Sequence, residues 1–179
     1  MVADIVKYTN MKINMLAQIY KTKDVTFAHT CPEEIEALMG ILIQSGGKQD
    51  NCITVAEMWS KQHRSPLYCS AMNEKRFNFL LRSLRFEDHT TRNERMKIDK
   101  LAPWRNTWEC FLDNFQKKYV PGNAITVDEQ MVGFRGRCPF RYYKRYKPPK
   151  YDIKMNMACG ARNSFMLNGI LDLAEHRRP

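Results

Sequence analysis

Over the first two-thirds of the chain, apolar residues recur at the three-and-four spacing of an amphipathic helix; towards the end they alternate with polar ones as in a strand. Ile35, Leu38, Met39 and Leu42 share a helical face behind Thr30-Cys31-Pro32-Glu33, which reads as a capping box with Thr30 at N-cap and Glu33 at N3. Gly46-Gly47 close that helix. Thr54 to Glu57 repeats the capping-box logic ahead of Met58-Trp59. Asn73 caps a third helix that carries Phe77, Leu80, Leu81 and Leu84 on one face, with Arg76, Arg82 and Arg85 around it. A charged stretch from Glu87 to Lys97 reads as a linker. Leu101, Trp104, Trp108, Phe111, Leu112 and Phe115 then mark a long amphipathic helix, with Pro103 in its first turn. These stripes read as core, and no cofactor is assigned to them.

After Tyr119-Val120-Pro121-Gly122 the period changes. Ala124 to Met131 has strand composition, with Ile125 and Val127 on one face and Thr126, Asp128 and Gln130 on the other. Tyr151, Ile153, Met155 and Met157 alternate with Asp152, Lys154, Asn156 and Ala158. Gly160 to Asn163 supplies a turn, and Phe165 to Ile170 returns as the second arm of a hairpin. The expected class is α+β: a helical domain over 1–118, then the first three strands of an incomplete sheet domain over 119–179.

Composition narrows the classes. The chain has 179 residues, 44% hydrophobic and 27% charged, which excludes collagen-like, disulfide-dense and disordered proteins. The longest apolar run, Ala37 to Ile43, is far below the ~20 residues of a membrane span. Met1-Val2-Ala3-Asp4 does not open a secretion signal. Six cysteines, at 31, 52, 69, 110, 138 and 159, form no Cys-x-x-Cys pair. His29 near Cys31 and His63 near Cys69 read as lone pairings rather than a zinc site, and reduced intracellular thiols are expected. The net charge is +10, which suits a polyanionic partner. Arg135 to Lys154 holds eight basic residues and one acid, interleaved with Phe140, Tyr142, Tyr143, Tyr146 and Tyr151. One twenty-residue segment thus carries most of the excess. Its basic residues, Arg135, Arg137, Arg141, Lys144, Arg145, Lys147, Lys150 and Lys154, are the candidate contacts to such a polyanion, nucleic acid (DNA) or an anionic membrane surface.

Asp128 stands mid-strand, where a carboxylate facing an interior must be paired or hold a metal. The run Ile125 to Phe140 resembles the start of the catalytic domain of piggyBac transposases. So do Tyr119 to Gly122 upstream, Asn73 to Asp88, Glu33 to Leu42 and the pair Thr9-Asn10. Lys147-Pro148, Lys150-Tyr151, Ile153-Lys154 and Leu167-Asn168-Gly169 keep the pattern downstream.

The resemblance implies a ribonuclease H-like catalytic domain behind a helical domain that helps to dimerise and to grip DNA. It implies three aspartates holding two Mg²⁺ ions, which drive cleavage and joining at TTAA targets in the nucleus. Asp128 corresponds to the first aspartate, and Arg135 and Arg137 belong to its motif. Glu129 points to the opposite strand face and reads as structural. Asp152 replaces a residue that is usually Gly, on a solvent or DNA face, and Tyr143 to Tyr146 replaces a segment that normally carries Pro. The stretch Asp172 to Pro179 no longer resembles the family, and Asp172 comes too early to be the second ligand. One carboxylate cannot hold two Mg²⁺ ions. The chain is therefore expected to be a truncated transposase without activity of its own, whose partner is DNA, with a homodimer through the helical half. Three other readings stay open. They are a domesticated DNA-binding or interaction module, a remnant without a role, and catalysis restored by another polypeptide.

Overall fold

The computed structural model describes residues 1–19, 25–60, 62, 65–146 and 150–173. They form seven α-helices and a four-stranded antiparallel sheet, divided into two compact units, Met1–Thr90 and Thr91–Pro179.

The first unit contains α1 (Val2–Ala17), α2 (Pro32–Gly47), the short α3 (Val55–Met58) and α4 (Pro66–Ala71), and α5 (Glu74–Ser83). Single turns of 3-10 helix lie at Val25–Phe27 and Asp50–Cys52. Ile13, Leu38, Ile41, Met58, Tyr68, Phe77 and Leu80 are in its core; the helical spacing marks out Leu38, Met58, Phe77 and Leu80, whereas Leu42 and Leu81 of the same stripes are exposed. Trp59 closes it, its ring 4.8 Å from Phe77 and its indole N–H donating to the Met72 carbonyl.

Two expected caps are present. Thr54 and Glu57 make a complete capping box, and Asn73 Oδ1 accepts from the Arg76 amide at 2.8 Å. The third is displaced. Pro32 occupies the first turn of α2, so Cys31 is its N-cap and no side chain caps it. The Thr30 hydroxyl instead donates to Glu34, at 2.6 Å.

Arg76 is not a surface arginine. It is 7% exposed and directs all five donors inward, to both Glu34 oxygens at 2.6 Å and to the carbonyls of Thr26, Ala28 and His29. The strap before α2 is thereby tied to α5. Thr9 and Asn10 serve the same frame. Asn10 exchanges two hydrogen bonds with the Thr30 backbone, and the Thr9 hydroxyl accepts from the Arg85 amide at 3.1 Å.

The second unit begins with α6 (Arg92–Ile98), inside the stretch read as a linker. No residue of α6 is buried, and its Glu94–Lys97 pair is solvent-exposed. Its two apolar residues, Met96 and the exposed Ile98, stand two apart at its end and make no apolar stripe to read. A turn at Leu101–Trp104 carries Pro103, and α7 (Arg105–Lys118) starts after it rather than around it. Asp99 holds Arg105 through two hydrogen bonds, which keep the Asp99 carboxyl below its ordinary range.

The sheet comprises β1 (Ile125–Gly133), β2 (Tyr142–Tyr143), β3 (Tyr151–Gly160) and β4 (Met166–Leu171). β1 pairs along β3 from Ile125↔Gly160 to Gly133↔Asp152. The other edge of β3 takes β2 at its start and β4 at its end. The two-residue β2 is too short to show in the sequence pattern. α7 packs on β4. The Trp108 indole donates to the Gly169 carbonyl, and a Cβ at residue 169 would lie 3.2 Å from the Trp108 ring. Phe115 and Tyr119 both pack on Phe165. The unit boundary at residue 90 groups α6 and α7 with the strands, whereas position 118 marks where helix gives way to sheet.

Candidate nucleic-acid interface

The ladder fixes which side chains share a face. Asp128 is opposite Met157, which is opposite Gly169, so all three lie on the sheet face that α7 covers at β4. α7 makes its sheet contacts at β4, and Asp128 on β1 is exposed. Its Oδ1 accepts from the Glu129 amide at 2.7 Å. The neighbours on its face are Thr126 and Gln130 along β1, and Met155 and Cys159 across the ladder. None is a carboxylate. Among the described residues no group of three His, Cys, Asp or Glu could hold a metal ion. The described residues around Asp128 therefore do not fit a two-ion site.

Glu129 lies on the other face, where its carboxylate meets Lys154 Nζ at 2.6 Å. Asp172 joins from 3.7 Å. The hydrogen bond that Lys154 donates to Glu129 raises its ammonium above the usual range. Burial and then the Asp172 hydrogen bond raise the Tyr142 phenol. Asp172 is thus a partner of this lysine and does not share a face with Asp128.

Between β1 and β3 runs the basic segment, anchored by Phe140, which is buried. The Arg141 guanidinium lies 3.9 Å from the centre of the Tyr151 ring and donates to the Gly136 carbonyl at 2.8 Å. It shapes the loop from inside. Lys144 Nζ is 3.0 Å from Asp152 Oδ2. Asp152 is 1% exposed, and so is not on the solvent or DNA face expected for it beside the family motif. It sits in the middle of a triple row, paired with Gly133 on one side and Tyr142 on the other, and the lysine balances its charge.

The candidate contacts therefore separate. Arg141, Lys144 and Lys154 are committed to Tyr151, Asp152 and Glu129. Arg135, Arg137, Arg145 and Lys150 are exposed, and none of them pairs with an acid among the described residues. Lys147 lies outside the described residues, as do Pro148, His63 and Ala174 to Pro179. No helix among the described residues is long and apolar enough to cross a membrane.

The family model described as Transposase IS4 matches residues 1–179. Among solved structures, the chain is similar to piggyBac transposase, determined by cryo-electron microscopy as a synaptic complex with hairpin DNA. The TM-score is 0.88 at 37% sequence identity, and the match covers 96% of this chain and 36% of that one.

Proposed function

Because this chain belongs to the Transposase IS4 family, of the piggyBac type, we propose that it serves DNA transposition by binding DNA, and that by itself it does not cut the DNA it binds. The observation that carries the reading is the set of four exposed cations, Arg135, Arg137, Arg145 and Lys150, with no acid paired to them among the described residues. Guanidinium and ammonium groups in that state are available to phosphates, with release of the counterions that surround DNA. The similar piggyBac transposase was captured in complex with hairpin DNA, which supports the same partner.

Catalysis is a separate requirement. In-line attack on a phosphodiester develops charge on the entering and leaving oxygens, and a pair of divalent ions would balance it. Asp128 fits the first ligand of such a site, and its face offers Thr126, Gln130, Met155, Met157 and Cys159 as company. Mg²⁺ is the expected ion in a chain that brings further carboxylates, with TTAA as target, a homodimer as the working form and the nucleus as the compartment. This chain by itself supplies binding.

The test uses the purified chain with duplex DNA. With about four phosphate contacts, affinity should fall roughly 10²-fold between 50 and 200 mM salt. Arg135→Glu with Arg137→Glu should flatten that slope. A response insensitive to salt removes the DNA reading. Mg²⁺-dependent nicking by this chain, lost in Asp128→Asn, removes the claim of inertness.

A further inference from the structure

The helical unit contains a cleft of about 510 Å³ with a floor of Leu16, Phe27 and Phe79 and a rim of Lys12, Lys75 and Arg82. Residues 1–90 hold 11 basic and 10 acidic side chains. Three cations around one cleft in so balanced a unit are therefore segregated, and no acid lines it among the described residues. Lys75, Phe79 and Arg82 follow at i, i+4 and i+7 on α5, so the two cations flank the ring on one helix face, about 10 Å apart along the axis. The floor is preformed. Phe79 is a core residue, 8% exposed, so the half-buried Phe27, which meets it edge-on at 5.0 Å, offers most of the aromatic surface, and the buried Arg76 guanidinium lies 5.8 Å from the Phe79 ring centre. The volume is that of a small-molecule pocket.

A ligand for this site needs negative charge at the rim and a flat apolar group for the floor. A duplex offers the first and keeps its bases stacked away from the second, whereas an unpaired strand offers both. We propose that the cleft binds a single nucleic-acid strand, with a base against Phe27 and Phe79 and the flanking phosphodiesters on Lys12, Lys75 and Arg82. This rests on the DNA reading above and adds to it a strand-selective site in the other unit.

The full chain is titrated with fluorescent oligothymidylate, with an abasic phosphodiester strand of equal length, and with a duplex. Lys75 and Arg82 are exposed, so Lys75→Glu with Arg82→Glu should keep the thermal transition, and the paired Gln variants serve if it does not. The expected result is at least about tenfold weaker binding of oligothymidylate and a salt slope smaller by about 1.4, from two contacts. Duplex affinity stays within about twofold. The abasic strand binds the unaltered chain about tenfold less tightly than oligothymidylate. Unchanged single-strand affinity, equal losses for strand and duplex, or an abasic strand that binds as well would each overturn the proposal. So would displacement of the oligonucleotide by polyglutamate at matched charge, which would assign the cleft to an acidic protein segment. Arg135→Glu with Arg137→Glu separates the two readings. If that pair leaves duplex binding intact, the basic segment loses its role while the cleft result stands.

Discussion

Arg76 satisfies every one of its donors through a single carboxylate and three carbonyls, and such an arrangement is costly to break from either side. Arg76→Met leaves the half-buried Glu34 carboxylate and three carbonyls without their partner, so a loss of about 3–5 kcal/mol is expected in denaturant titration. Arg76→Lys should recover little, because an ammonium cannot reproduce the planar fork. Burial pushes the Glu34 carboxyl up, but hydrogen bonds from Arg76 and Thr30 outweigh it and hold the group below its ordinary value of 4.5. A carboxyl depressed in the folded state adds stability that is complete above the unfolded value and is lost as pH falls through the folded one. Acid titration of the melting temperature should thus steepen below about pH 4.5, and Glu34→Gln should shallow that limb. Helical periodicity places Arg76 on the surface beside Arg82. Position on a helix does not reveal that a long side chain turns under a strap more than forty residues earlier in the chain.

At the scale of elements, legibility follows the chemistry available to each. Asn73 is a cap by residue type and by geometry, and Asn73→Ala should cost about 1 kcal/mol, measured by chemical denaturation. The alternation of β1 and β3 assigns the correct faces to Asp128 and Glu129, because a period of two admits one answer. α6 escapes notice because it lacks an apolar face, and β2 because two residues make no pattern. Pro32 moves the start of α2 one residue past the expected cap. Gly169 shows what the pattern cannot carry. Its place opposite Met157 follows from strand pairing, but the close approach of Trp108 leaves no trace in the alternation. Gly169→Val puts carbon where the indole lies and should destabilise the second unit by about 1–3 kcal/mol, with a red shift in tryptophan emission as Trp108 is displaced.

For the whole molecule, charge is the property that composition states most plainly and least completely. The net +10 and the basic run between β1 and β3 are visible from residue counts. Which cations are unpaired is not, because Asp152 and Glu129 meet Lys144 and Lys154 through strand register and loop folding. Neutralising one of the remaining four, as in Lys150→Gln, should weaken duplex binding uniformly across sequences and reduce the salt slope by about 0.9. The strap before α2 carries a different message. Ala28 donates its amide to Val25, Thr30 donates its own to the Asn10 side chain, and the carbonyls of Thr26, Ala28 and His29 converge on one guanidinium. Opening that segment requires the guanidinium to give up three carbonyls together. In deuterated solvent its protons should persist as long as those at the centre of α5, so that an irregular stretch of backbone reports the lifetime of the entire bundle.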